Sequence, residues 1–325
     1  MTSFALPSET ASTSLLTLRG VGLRFGRSEV LRDIELDVAG GAFVAVVGPD
    51  GAGKSTLLRV LAGLRQPSSG TITRSVPKEH VGYSGSEFDL YGDLTIMENL
   101  RFFARVRGMA HKKFRPAAER MLKMVGLTDA AHVLAATLSG GMKKKLALAA
   151  ALIHEPRLLL LDEPTVGVDP ASRRELWGII AQACAGGTAV VFATTYLDEA
   201  ERAQRIVHLC AGEAFDVSPQ RMAASVQGWE AWVLVEGIAR NVIRVGLARA
   251  HLGPRAYLRQ EGLTLLAPDL KEAEGMANQV LSHLPGHCTP RRASAPIALT
   301  ATSLNLDDLF VLIQTGLAER FEGNL

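Results

Sequence analysis

Five residues from Phe43 to Val47, FVAVV, contain no polar position. That is the pattern of a short strand buried on both faces. The run stops at Gly48. After a glycine-rich interruption, Leu57, Leu58, Val60, Leu61 and Leu64 recur at helical spacing. Upstream, Leu15–Leu36 alternates apolar and polar residues around a break at Gly26-Arg27-Ser28, which predicts antiparallel strands. Downstream, Gln66–Gly70 reads as a turn cluster and Val81–Tyr83 as a short strand. From Leu94 to about Ile153 the period becomes helical, with Ile96, Leu100, Phe103 and Ala104 on one face and Ala118, Met121, Leu122 and Val125 on another. A second all-apolar run, Leu158–Leu161, ends in two acids, and Thr188–Thr195 reads as the next buried strand. Helices are predicted at Ala171–Ala183 and from Leu197, and a strand at Ile206–Leu209. Buried strands alternating with helices predict an α/β fold with a mainly parallel sheet.

Beyond Val217 the alternation restarts. It predicts a strand at Trp232–Val235, a helix at Val242–Ala250 and strands around Tyr257–Leu266. Helices follow near Leu270–Leu284 and from Leu306. The expected organisation is a disordered N-terminus over 1–14, a main domain over 15–216 with a helical subdomain at about 92–153, and a small α/β accessory or regulatory domain over 217–325.

Composition narrows the function classes. With 47% hydrophobic and 21% charged residues in 325, the chain can bury a sizeable core. A net charge of +2 gives no nucleic-acid signature. Cys184, Cys210 and Cys288 lie far apart without metal-ligand spacing and read as small core residues of a reduced protein. His283, His287 and Cys288 lack a fourth ligand nearby, so no metal site is expected there. Trp229 and Trp232 read as core. No apolar run approaches the ~18–20 residues of a membrane span. Residues 1–14 lack the basic and apolar segments of a signal peptide.

The chemistry sits at the ends of the apolar runs. Gly48-Pro49-Asp50-Gly51-Ala52-Gly53-Lys54-Ser55, followed by Thr56, fits G-x-x-x-x-G-K-[ST] at every fixed position. Glycines let successive N–H groups point at phosphate oxygens, and the following helix N-terminus adds partial positive charge. Lysine at this spacing reaches the β- and γ-phosphates, and the serine hydroxyl can ligate Mg²⁺. Asp162 and Glu163 close the Leu158–Leu161 run. An acid at the carboxyl end of a parallel strand beside such a loop can hold Mg²⁺, and a second can activate water. Leu138-Ser139-Gly140-Gly141 opens a helix. There Ser139 reads as an N-cap or an anion contact, and Lys143-Lys144-Lys145 as a solvated face. Phe25 is equally compatible with a strand-end core position and with stacking on a base.

GPDGAGKST, LSGGM, LLLLDEP and GVDP, in this order, resemble the ATP-binding-cassette (ABC) transporter ATPases across roughly Leu15–Ser218. Ser139 follows Lys54 by 85 residues and precedes Asp162 by 23. The resemblance implies roles. Phe25 would stack on adenine, and Gly48–Thr56 would bind the ATP phosphates. Ser55 and Asp162 would hold Mg²⁺. Glu163 would be the catalytic base, and Asp169 would lie in the dimer-communicating loop. Leu138, Ser139, Gly140 and Gly141 would contact ATP on a facing subunit. The implied partners are a membrane permease and a second ATPase domain. A heterodimer is favoured and a homodimer is open, at the cytoplasmic face of the membrane. Two positions depart from the family pattern. Ser86 stands where a glutamine is usual, and Thr195 where a switch histidine is usual. The wording resembles most the N-terminal ATPase half of YbhF-type tandem drug exporters. Ser303–Phe310 resembles the SLEDVF ending of drug- and polysaccharide-export ATPases.

The leading expectation is thus an exporter ATPase subunit whose own site is slow. Ser86 and Thr195 keep open a non-hydrolysing partner whose signature completes another subunit's site. A soluble repair or translation ATPase of this fold would carry long heptad insertions or a second cassette with a charged linker, and neither pattern occurs here.

Overall fold

The three runs read as buried strands lie side by side. In the computed structural model they are β3 (Phe43–Val47), β6 (Leu158–Asp162) and β7 (Ala189–Thr194), paired parallel in the order β6-β7-β3. The model describes residues 14–86, 90–216, 230–234, 250, 252, 256–258, 263–267, 269–282 and 299–302. β5 (Val81–Ser84) extends the parallel sheet beyond β6. On the other side β8 (Arg205–Cys210) pairs parallel with β3, and β9 (Glu213–Asp216) closes the sheet antiparallel. The order is β5-β6-β7-β3-β8-β9. Every residue of β6 and β7 is buried, because helices cover both faces. α1 (Lys54–Leu61) packs on β6 and β7, and α5 (Pro170–Ala185) on β7.

A second, antiparallel sheet holds β1 (Ser14–Phe25), β2 (Ser28–Ala39) and β4 (Ser69–Arg74) in the order β2-β1-β4. The alternation in Leu15–Leu36 is this hairpin, with bulges that shift its register at several points. β4 is an addition. Residues 66–70 read as turn alone, yet Ser69 and Gly70 already belong to the strand. Its sequence SGTITR is polar because it is a sheet edge with mostly exposed side chains, so it carries no apolar signal.

The helical stretch resolves into α2 (Ile96–Val106), α3 (His111–Val125) and α4 (Gly140–Leu152), which pack on one another. α2 starts on a capping box. The Thr95 hydroxyl accepts from the Glu98 N–H, and the Glu98 carboxylate accepts from the Thr95 N–H. The buried Asn99 side chain donates to the carbonyls of Tyr91, Leu94 and Thr95 and fixes the loop that enters the helix. A last short helix of this unit, α6 (Leu197–Ala200), follows β7.

The chain divides into two compact units between Ser218 and Pro219. The second contains a four-stranded antiparallel sheet of β10 (Glu230–Leu234), β11 (Ala256–Leu258), β12 (Leu263–Ala267) and β13 (Leu299–Thr302), in the order β11-β12-β10-β13. α7 (Leu270–Ser282) packs on it through Ala273, Met276, Ala277 and Val280. Trp232 is half-buried against this core. Trp229, His283, His287, Cys288 and the predicted final helix lie outside the described residues. Cys184 and Cys210 are free but partly exposed, not the core residues expected, since each sits at the end of its element. Among the described residues no helix is long and apolar enough to cross a membrane, and no group of acids, histidines and cysteines forms a metal cluster.

Candidate functional site

Parallel pairing brings four strand ends to one edge of the main sheet. Val47 is opposite Thr194, Ala193 is opposite Asp162, and Leu161 is opposite Ser84. Gly48, Thr195 and Glu163 are therefore each the first residue beyond a neighbouring strand, and Ser86 is the second beyond β5. Positions read from four separate stretches of sequence converge because a parallel sheet aligns its carboxyl ends.

The loop from Gly48 to Gly53 wraps the start of α1. An added Cβ at Gly48 would lie 2.2 Å from the Leu209 carbonyl oxygen, so β8 leaves room only for glycine. Gly53 caps α1 in the left-handed region at φ 104° and offers no side chain to the first-turn N–H groups. Those donors remain for an incoming anion. Lys54 is buried, and its ammonium donates to the carbonyls of Gly48 (2.8 Å) and Pro49 (3.0 Å). Pro49, Asp50 and Gly51 are exposed, whereas Ala52 packs into the core. Ser55 and Thr56 are half-buried at the helix start. Phe25, 46% exposed at the end of β1, carries the Arg65 guanidinium 5.6 Å from its ring centre. The ring is thus not a core residue.

Asp162 is buried, and neither carboxylate oxygen has a hydrogen-bond partner of good geometry. Burial raises its pKa, while the nearby Ser55 hydroxyl and the charges of Arg59, Lys54 and Lys144 favour the ionised form. An orphaned buried carboxylate beside a serine hydroxyl is a donor set suited to a hard divalent cation. Glu163 is half-exposed and adopts φ 49°, the left-handed region, which costs a non-glycine residue about 1–2 kcal/mol. Its N–H donates to the Ala193 carbonyl at 3.0 Å, tying it to β7.

Ser139 and Gly140 are exposed, and Leu138 is buried beneath them. The Ser139 hydroxyl accepts from the Met142 N–H as an N-cap. Gly141 abuts α5, where an added Cβ would meet the Ser172 hydroxyl at 2.7 Å. Asp169 caps α5 by accepting from the Ala171 and Ser172 N–H groups, and its pKa is lowered first by the Ser172 side chain and then by these N–H bonds.

Two features of the site are absent from the motif reading. The lysine triplet is not a solvated face. Lys144 is buried and donates to the carbonyls of Ser86 and Glu163, and Lys145 pairs with Glu175. The signal was phase, since Lys144 shares a helix face with Leu148 and Ala151. The second feature is Glu199, buried in α6. It accepts from Thr194 (2.7 Å), Trp177 (3.4 Å) and Thr165. This carboxylate links the end of β7, where Thr195 begins the next loop, to the segment after Glu163.

A cleft of about 470 Å³ opens beside this edge, lined by Arg59, Tyr83, Ser86, Phe103, Arg107 and His154 among others. Burial holds the His154 imidazole down near 4, with Arg107 adding to the shift.

Glycine loop, buried lysine, strand-end acids and exposed helix-capping serine on a parallel sheet define a P-loop nucleotide-binding ATPase domain. The comparisons give its family. The ABC transporter family model matches residues 31–166. The chain is 30% identical over 314 residues to the Nod factor export ATP-binding protein I of Mesorhizobium japonicum, covering 93% of this chain and 87% of that protein. It is 38% identical over 227 residues to the probable multidrug ABC transporter ATP-binding protein YbhF of Escherichia coli, covering 66% of this chain but 39% of that protein. The chain thus spans well under half the length of that relative. The chain resembles a solved ATP-binding subunit of an ABC transporter at TM-score 0.60 and 27% identity, covering 65% of this chain and 92% of that one. It also resembles a dimeric post-hydrolysis ATP-binding cassette bound to ADP and Pi, at TM-score 0.57 and 26% identity, covering 62% and 98%. The chain belongs to the ABC transporter ATP-binding family.

Proposed function

We propose that this chain binds and hydrolyses ATP to drive an exporter, acting at the cytoplasmic face of a membrane through a separate permease subunit. The observation that carries the reading is the convergence of Lys54, Asp162 and Glu163 at one sheet edge, with the exposed Ser139 and Gly140 at the helix start available to a facing cassette. The phosphate loop and Lys54 would bind the triphosphate, and Phe25 would stack on the base. Ser55 and Asp162 would hold Mg²⁺, which when bound neutralises phosphate charge. The Glu163 carboxylate would take the proton of the attacking water. The cleft beside Tyr83 and Arg107, with the exposed aromatic pair Tyr91 and Phe102 nearby, is suited to a permease segment. The name of the Nod factor export relative supports export as the direction. The domain division at 1–14, 15–216 and 217–325 belongs to the same proposal, the last part being an accessory or regulatory domain.

Two sites per pair are expected to differ. Ser86 is too short to reach where a glutamine would, and Thr195 cannot carry a cation near neutral pH. Loss of one such group costs about 10²–10³-fold in rate. The chain's own site would turn over slowly, and its signature would complete a faster site on a different partner cassette. The test is phosphate release by the assembled transporter. Glu163→Gln should lower it modestly and Ser139→Arg should nearly abolish it. The opposite ranking, or vigorous hydrolysis by this chain as a homodimer, would overturn the asymmetric pairing.

A further inference from the structure

We infer that Lys144 is a positioning residue for hydrolysis at this chain's own phosphate-loop site, its ammonium fastening the backbone of Glu163 to the helix that begins with the signature. The inference rests on the reading of Glu163 as the base. Three segments distant in sequence meet at one nitrogen. Lys144 Nζ donates to the carbonyl of Ser86 at 3.1 Å and to that of Glu163 at 3.1 Å. The residue is 5% exposed, so both bonds are made by a desolvated cation and are of the strong, charge-assisted kind.

Each partner is where geometry matters. Glu163 stands in the left-handed region and is held on two sides, by its own N–H to Ala193 and by its carbonyl to Lys144. The direction of the carboxylate follows from that backbone. Ser86 is the position whose side chain is too short for the usual glutamine contacts. Lys144 engages its main chain instead, so the loop after β5 is fixed without that side chain. The lysine rides on α4, five residues beyond Ser139. Five residues of helix span about 7.5 Å, and a helix shifts as a rigid rod. A displacement of the exposed signature by a facing subunit therefore moves the group that holds the acid.

The experiment compares the full-length wild type with Lys144→Met, Lys144→Arg and Glu163→Gln. Phosphate release by this chain alone, with no partner cassette adding a faster site, is measured at saturating MgATP, and ATP affinity by fluorescence titration without Mg²⁺. Lys144→Met should lower kcat by about tenfold or more and leave the ATP Kd within about twofold, since the lysine holds the carbonyls of Ser86 and of the acid. Lys144→Arg should restore most of the rate, because it keeps charge and donors. Lys144→Met should slow turnover no further in a Glu163→Gln background. If Lys144→Met fails to fold, Lys144→Gln is read in its place, with the same split expected. An unchanged kcat overturns the inference. So does a loss of ATP affinity as large as the loss of rate without rescue by arginine, which would mark a merely structural lysine. A Glu163→Gln variant as active as the wild type instead overturns the hydrolysis reading on which the inference rests, and is seen without reference to Lys144.

Discussion

Lys54→Ala probes the phosphate loop through a group with two alternative sets of partners. The ammonium donates to the carbonyls of Gly48 and Pro49, at 2.8 and 3.0 Å, in a buried setting. A hydrogen bond to a charged group contributes about 1.5–3 kcal/mol net. ATP would draw the ammonium toward phosphate oxygens, so binding exchanges bonds and does not simply add them. The expected loss of affinity is then one such bond, not two: about 1.5–3 kcal/mol, or roughly tenfold to hundredfold in Kd. The free protein loses both internal bonds but also sheds a buried cation. Its melting temperature should fall by only about 2–4 °C, equivalent to ~1 kcal/mol. Nucleotide titration in the presence of Mg²⁺ and thermal melting measure the two effects separately. Lys54→Met keeps the packing of the side chain and should match Lys54→Ala in affinity while melting closer to the wild type. An unchanged ATP Kd in a folded variant would refute the assignment of the loop as the phosphate cradle.

Gly48→Ala should destabilise the free protein by about 1–3 kcal/mol in a melting or denaturant experiment, because its Cβ would stand 2.2 Å from a backbone oxygen of β8 that cannot turn aside. A wild-type melting temperature would refute that crowding. His208 sits buried in β8, where desolvation pushes its pKa from 6.5 down to about 4. The unfolded chain takes up this proton as pH falls below 6.5 and the folded chain does so only near 4. Stability present above 6.5 is therefore lost across that window. The loss should be about 1–3 kcal/mol, at 1.36 kcal/mol per pK unit and allowing for relaxation around the charge. Urea unfolding at neutral pH and at about pH 5 should show it. His208→Leu should reduce the difference, and the half-buried His154, also held near 4, accounts for the remainder. An equal pH dependence in the variant would assign the effect to other groups.

The phosphate loop, the signature and the strand-end acids were legible because each depends on neighbours in the chain. Gly48 to Ser55 must be contiguous to curl around one anion, and Asp162 must follow an apolar strand to stand at its end. The parallel core was legible for the same reason, since strands covered on both faces are apolar up to their carboxyl ends. What the chain cannot display is adjacency between distant segments. β4 escapes notice because an exposed edge strand needs no apolar pattern. Lys144 sits in a lysine triplet that reads as solvated. Only the packing of α4 brings its ammonium to carbonyls 58 residues before it and 19 after. Glu199 likewise becomes an acceptor for Thr165, Trp177 and Thr194 through the fold alone. By itself the sequence determined which residues can meet a phosphate. The tertiary structure decided which buried charges hold them in place, because a desolvated lysine or glutamate must find its partners wherever packing provides them.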